Sequence, residues 1–280
     1  MILVDLNQVL LSGLMAQISN KKVKLDENLV RHMILNILRM HVRKFRNEFG
    51  EVVLCCDNRK YWRKEFFPFY KAGRKKNREK SDLDWHMIFD MLAKFKQELK
   101  ENFPYKVIDV EGAEADDIIG TLTPLYASSQ NILILSSDGD FHQLQKYPSV
   151  KQYNPAQKKF VYSDNPALEL KEKIIRGDKG DGIPNIFSPA DCFVRDMRQK
   201  AITQKTLDKY LNESVESWSE TDKANFQRNA TLINLEHIPT EIKQQIINTY
   251  NEMLPASRSK LLNYFIEHKL KNLMDVIEEF

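Results

Sequence analysis

Residues 132–144 read ILILSSDGDFHQL, and the fold turns on how this stretch is taken. Its first four residues form an apolar run of the kind found in strands buried on both faces, and Ser136, Ser137 and Asp138 end it. Asp138 and Asp140 then stand two positions apart, where two carboxylates repel each other and resist desolvation. The design recurs. MILVDLN (1–7) ends at Asp5, EVVLCCDN (51–58) ends at Asp57, and YKVIDV (105–110) is a further short run.

Helical patterns separate these runs. Leu29, Val30, Met33, Ile34, Ile37 and Leu38 follow i, i+3, i+4 spacing, as do Trp85, Ile88, Phe89 and Leu92 with Phe95, after Ser81 as N-cap and Asp84 at the third helical position. Alternating strands and helices predict an α/β fold: a mainly parallel twisted sheet with helices on both faces. In such sheets ligands lie outside the carboxyl ends of the strands, where Asp5, Asp57 and Asp138 fall.

After about residue 165 the pattern changes. NPALELKEKIIRG (165–177) reads as a helix stopped at Gly177, followed by the loop GDKGDGIPN (177–185) and a polar, helix-rich tail to Phe280. The expected organisation is an α/β domain over 1–165 and a smaller helical domain over 166–280, with no internal repeat.

With 280 residues and 42% hydrophobic content the chain can bury a large core. No apolar run approaches the ~18–20 residues that span a bilayer, and no basic segment precedes the first apolar stretch, so a cytoplasmic protein without membrane contact is expected. Three cysteines, with Cys55 and Cys56 adjacent, exclude a disulfide framework and paired zinc spacing.

Charge is segregated. Residues 59–80 carry a net +8, leaving −5 for the remainder against +3 overall. A polyanion fits the basic segment, while the acidic residues do something else.

Nine acidic residues in five separated stretches are candidates for that role: Asp5, Asp57, Asp138 and Asp140 at strand ends, Glu114, Asp116 and Asp117 in EGAEADDIIG (111–120), and Asp178 and Asp181 in the glycine loop. Any one alone reads as a helix cap or a turn residue. Together at one sheet edge they accumulate negative charge that cations must offset. All-oxygen donors suit Mg²⁺ or Mn²⁺, and His32, His41, His86, His142, His237 and His268 show no zinc-binding spacing; His142 reads as a helix residue. A calcium loop starting at Asp138 fails, because its sixth position is Gln143 and its twelfth is Ser149. Two divalent ions about 3.5–4 Å apart would use this many carboxylates for in-line phosphoryl chemistry.

The basic stretch KYWRKEFFPFYKAGRKKNREK (60–80) interleaves its cations with Tyr61, Trp62, Phe66, Phe67, Phe69 and Tyr70, a composition for phosphates and stacked bases, although most of the rings also read as a core face. A non-enzymatic nucleic-acid clamp would need this stretch but not the aspartates. A smaller single-strand ribonuclease would need the sheet and the aspartates but not the long basic segment.

WRKEFFPFYKAGR (62–74), EADD (114–117), SSDGDF (136–141) and GDKGDGIPN (177–185) resemble the marker motifs of the 5′-nuclease superfamily, which includes the 5′-nuclease domain of bacterial DNA polymerase I and the flap endonucleases. LSSDGDFHQLQKYPSVKQYNP (135–155) and LLNYFIEHKLKNLMDVIEEF (261–280) are similar to its phage branch, and the resemblance spans essentially the whole chain. It implies that Asp5, Asp57, Asp116 and Asp138 surround a first Mg²⁺ and that Asp140, Asp178 and Asp181 surround a second, with Mn²⁺ as substitute; Glu114 and Asp117 act in the inner or water-mediated shell. It implies that Arg63, Lys71 and Arg74 face the scissile phosphate and the threaded strand. Residues 73–82 would lie in an arch over that strand, with Arg59, Lys60, Lys64, Tyr70, Lys75, Lys76 and Arg78 as further nucleic-acid contacts.

The implied activity is metal-dependent 5′-3′ exonuclease and flap-endonuclease hydrolysis that removes RNA primers and 5′ flaps. Implied partners are DNA and RNA–DNA duplexes with a 5′ single strand, and a replication single-strand-binding protein meeting the C-terminal tail of a monomer in the infected bacterial host. The tail's apolar positions, Leu261, Leu262, Phe265 and Ile266, then Leu270, Leu273, Met274, Val276 and Ile277, also fit simple packing. One departure matters. Beyond Gly182 the loop continues as IFSPADCF (186–193) and no glycine follows to Phe280, so duplex contact is expected to rest on residues other than a glycine-rich, potassium-assisted turn.

Overall fold

The computed structural model describes residues 1–18, 26–79 and 83–280, apart from the side chains of residues 17, 18 and 75–77. In chain order, β1 (Ile2–Asp5) leads into α1 (Leu6–Ile18) and α2 (Glu27–Phe49); β2 (Val52–Cys55) is followed by α3 (Trp62–Phe66), α4 (Gly73–Glu79) and α5 (Trp85–Asn102). Then come β3 (Lys106–Ile108), α6 (Ala115–Tyr126), β4 (Ile132–Leu135), a 3-10 helix (Gly139–Lys146), β5 (Val150–Asn154), β6 (Lys159–Val161) and α7 (Pro166–Arg176). After an irregular stretch over 177–203 come α8 (Gln204–Asn212), α9 (Glu220–Ile233), α10 (Thr240–Glu252), α11 (Ser259–Glu267) and α12 (Lys271–Met274).

Among the described residues six strands form one sheet in the order β3-β2-β1-β4-β5-β6, parallel except for the β5–β6 pair. The chain winds outward from β1 through β2 and β3, then returns to the other side of β1 with β4. The gap between the carboxyl ends of β1 and β4 is therefore the point where strand order reverses, the place where such sheets hold ligands. In register, Val4 faces Leu135, which brings Asp5 beside Ser136.

Alternation explains why the strands are apolar on both faces. Ile2, Val4, Val52, Leu54, Leu133 and Leu135 join one core with α1, α2 and α5, while Leu3, Val53, Cys55, Ile132 and Ile134 join another with α6, the 3-10 helix and α10. β5 and β6 were not legible as strands, because β5 turns Gln152 and Asn154 inward and β6 has only three residues.

Ser81, expected to cap α5, lies outside the described residues. Asp84 does the capping, its carboxylate accepting from the Met87 amide at 3.0 Å. The helix stopped at Gly177 forms as expected, with Asn165 as N-cap. Gly177 has φ +68°, and a Cβ there would come within 2.3 Å of the Ile183 carbonyl, so no other residue fits.

The segment after residue 165 does not pack apart from the sheet. Leu261, Tyr264, Phe265, Leu270, Leu273 and Phe280 belong to the same core as α1 and α2, and Leu235, Ile238, Ile246 and Tyr250 cover the other face. Only the part around α7, α8 and α9 builds cores of its own, one of which also takes in Phe67 and Tyr70. Among the described residues no helix is long and apolar enough to cross a membrane.

Candidate metal centre

The strand ends deliver a first group of carboxylates to the switch point. Asp5 is buried at the end of β1, accepting from Ser136 Oγ at 2.9 Å and from the Gln8 amide at 3.3 Å. Asp57, just past β2, accepts from Asn7 Nδ2 at 3.0 Å and from the Ala115 amide at 2.9 Å, which joins it to the start of α6. Asp116 follows on that first turn. Asp138 caps the 3-10 helix through the Asp140 amide at 2.9 Å, and Gln152 Nε2 holds the Asp138 carbonyl from β5 at 2.7 Å.

These groups feel one another. Burial, then the neighbouring Asp57 carboxylate, pushes Asp5 up to about 7. Burial, then Asp138, holds Asp116 well above the ordinary carboxylate range although Lys71 opposes it. The negative charge gathered here is not fully compensated by the protein's own cations.

A second group lies beside it. Burial pushes Asp140 up to about 6 against the pull of Lys173. The Lys173 ammonium contacts Asp140 and lies 3.1 Å from Asp178 Oδ2, so one cation of α7 joins two carboxylates. Burial works against that ammonium, yet Asp140 and Asp178 outweigh it and raise its pKa. Asp181 sits opposite, where burial is outweighed by Lys71 and Arg74 and its carboxyl ends below the usual range.

The basic flank grows from the chain just before α4. Lys71 Nζ donates to Glu114 Oε1 at 2.6 Å and lies 3.7 Å from Asp181 Oδ2, and these two carboxylates overcome burial to hold the ammonium above its ordinary pKa. Its backbone is left-handed at φ +55°, a costly conformation for lysine that the Lys71 amide secures by donating to the Asp181 carbonyl at 2.7 Å. Gly182 makes that approach possible: at φ +73° it presents no Cβ, which would otherwise meet the Phe69 carbonyl at 2.9 Å. Arg74 Nη2 donates to Asp181 Oδ1 at 2.5 Å while its side chain stays half exposed.

Four expected placements are corrected. Arg63 does not face the site: its guanidinium is buried, donating to the Leu232 carbonyl at 2.8 Å and to Glu114 Oε2 at 3.0 Å, with Asp117 Oδ1 at 2.8 Å. Asp117 is fully buried against Arg63, accepts from Trp62 Nε1 at 3.2 Å and closes the α6 capping box with the Glu114 amide, so both of its oxygens are already engaged. Tyr70 is buried too, with its hydroxyl 3.0 Å from Asp181 Oδ2 and its ring edge-on to Tyr61, so it offers no face to a base. Glu114 turns inward to Arg63 and Lys71. An EADD motif at a helix start reads equally as ligand or cap; here Asp116 is turned to the site and Asp117 to the core.

Of the remaining basic residues, Arg59 and Lys64 are exposed, Lys60 pairs with Glu111 at 3.0 Å, and Arg78 lies over the Phe89 ring. Lys75 and Lys76 belong to α4, but their side chains lie outside those described. His142 sits in the 3-10 helix with Nδ1 2.9 Å from Glu169. Sequence reading missed Ser136, Asn7 and Lys173. The first serine of SSDGD and the lysine four positions before Gly177 were the available signals.

Among the described residues no three potential ligands are already closed around one ion position. The donor set nevertheless fits a hard divalent cation. It is all carboxylate oxygen, and the raised Asp5, Asp116 and Asp140 mark charge that such an ion would offset. A cleft of about 750 Å³ opens beside the second group, with Lys179, Arg198, Lys200 and Arg176 in its walls.

The chain matches known proteins over its whole length. Residues 1–173 match the model of the 5′-3′ exonuclease N-terminal resolvase-like domain, and residues 164–280 match that of the T4 RNase H C-terminal region. The chain is 36% identical to the ribonuclease H of Enterobacteria phage T4, over 99% of this chain and 95% of that protein. It is 33% identical to the flap endonuclease Xni of Shewanella oneidensis, over 45% of this chain and 48% of that one. The fold is similar to that of the phage T5 5′-exonuclease with bound zinc ions, with a TM-score of 0.63, 14% identity and coverage of 90% and 98% of the two chains.

Proposed function

The chain belongs to the 5′-3′ exonuclease family, and on that premise we propose that it hydrolyses phosphodiester bonds near 5′ ends with two Mg²⁺ ions, removing RNA primers and 5′ flaps in phage DNA replication. The observation that carries this reading is the meeting of the two aspartate groups, across the switch point, with Lys71 and Arg74 at the root of a basic helix. A clamp would have no use for carboxylates whose pKa is raised by burial and then by one another.

Asp5, Asp57, Asp116 and Asp138 would hold one ion, and Asp140, Asp178 and Asp181 the other. When bound, the ions supply a more acidic water and neutralise charge on an in-line phosphoryl transition state. The chain's own residues do the rest. Ser136 and Asn7 fix the orientation of Asp5 and Asp57, Glu114 and Asp181 aim the Lys71 ammonium, and Arg74 keeps donors free for a phosphate. The cleft with Lys179, Arg198 and Lys200 supplies the duplex contact that a glycine turn does not.

The protein acts as a monomer in the host cytoplasm. A single-strand-binding partner would meet α11, where Leu262 and Ile266 remain exposed while Leu261 and Phe265 are buried. The test is digestion of 5′-labelled flap, nicked and RNA-primed duplexes with product sizing. Cleavage that requires Mg²⁺ and yields 5′-phosphates is expected, and tight binding without cleavage would establish the clamp instead.

A further inference from the structure

Phe89 is out of place. It sits in the apolar pattern of α5, but Ile88, Leu92 and Phe95 are buried while Phe89 is 40% exposed. Trp85, one turn earlier, lies against it with ring centroids 5.7 Å apart at 31°. The Trp85 indole nitrogen is buried without a hydrogen-bond partner among the described residues. From α4 the Arg78 guanidinium lies over the Phe89 ring, 5.4 Å from its centroid. A ring left this wet contributes little to the core.

The location gives the cluster a purpose. Arg74 and Arg78 are four residues apart on α4, so they share a helix face and stand about 6 Å apart along its axis. Arg74 is paired with Asp181 in the second carboxylate group, and Lys71 just before it reaches Glu114. Lys71, Arg74 and Arg78 thus form a line of cations from the carboxylates to the exposed ring, spaced to follow a phosphate backbone.

We propose that Phe89 and Trp85, with Arg78 beside them, form a stacking subsite for one unpaired nucleobase of the strand whose backbone lies at the carboxylates. The inference rests on the nucleolytic reading and deepens it by naming the rings that grip the single strand. Every base has a π-face, so the subsite accepts any of them. Loss of one such stack costs about 5- to 100-fold in affinity.

The experiment uses the full chain and 5′-flap duplexes carrying 2-aminopurine at one single-strand position at a time, in EDTA to prevent turnover. Wild type should quench the probe at one register, and an abasic nucleotide at that register should weaken binding about 5- to 100-fold by fluorescence anisotropy. Phe89→Leu should abolish both effects, and Phe89→Tyr should keep them. If Phe89→Leu misfolds by circular dichroism, Arg78→Gln takes its place and should weaken binding at the same register. Equal quenching at all positions, or wild-type affinity in Phe89→Leu or Arg78→Gln, overturns the subsite. Failure of wild type to cut the probe-free flap with Mg²⁺ overturns the nucleolytic reading instead.

Discussion

The Arg63 guanidinium and the Asp117 carboxylate meet at 2.8 Å with both side chains closed off from solvent. Breaking one member of a buried pair strands the other charge, at a cost of about 3–5 kcal/mol. Arg63→Ala is therefore expected to lower Tm by on the order of 10 °C. Calorimetry checks it, and a variant with wild-type Tm that has lost only cleavage would return Arg63 to the substrate.

Asp5 and Asp140 make the metal-free protein sensitive to pH. Their folded values of about 7 and about 6 stand above the ordinary 3.8, so the folded chain holds protons that the unfolded chain has released. Stability then falls as pH rises through this window. Asp5→Asn should exceed wild type at pH 8 in EDTA by on the order of 2 kcal/mol, and the gap should narrow toward pH 4. Urea melts at four pH values test it; a gap independent of pH means Asp5 does not carry the effect.

The Lys173 ammonium joins Asp140 and Asp178. Lys173→Met should lower the metal-free Tm and enlarge the rise on adding MgCl₂, because a bound cation then relieves a larger repulsion. Equal Mg²⁺-induced shifts in variant and wild type would show that the ammonium is neutral in this balance.

Lys71 and Lys64 should separate chemistry from binding. Lys71→Ala removes an ammonium fixed beside Glu114 and Asp181 and should slow the single-turnover rate at saturating enzyme about 10²- to 10³-fold. Lys64→Ala removes an exposed charge and should weaken binding and reduce its salt slope by about one. Matching effects of the two variants on both quantities would reduce the flank to an electrostatic funnel.

The sheet and its acidic edge were legible because apolar runs ending in aspartate carry both messages in adjacent residues. Which side a carboxylate faces was not. Asp116 and Asp117 are neighbours on one helical turn, and only the buried Arg63, brought from 54 positions earlier than Asp117, decides that Asp117 belongs to the core. Tyr70 and Arg63 read as substrate contacts for the same reason: a basic, aromatic stretch does not say which of its members the rest of the chain will enclose. β5 escaped because its inward polar residues, Gln152 among them, serve the loop at Asp138 and break the apolar pattern.

The pairing of β1 with β4 sets a timetable. Ile2 leaves the ribosome early, but its partner Leu133 and the Leu232 carbonyl that holds Arg63 are made far later. At about 5–20 residues per second the central strand waits on the order of ten seconds with one edge unpaired, a period when the nascent chain is exposed to aggregation and to chaperones. Asp178 and Asp181 arrive between Leu133 and Leu232. A chain made only as far as Leu133 thus lacks four of the nine candidate carboxylates, and under the proposed assignment cleavage would await the synthesis of most of the protein.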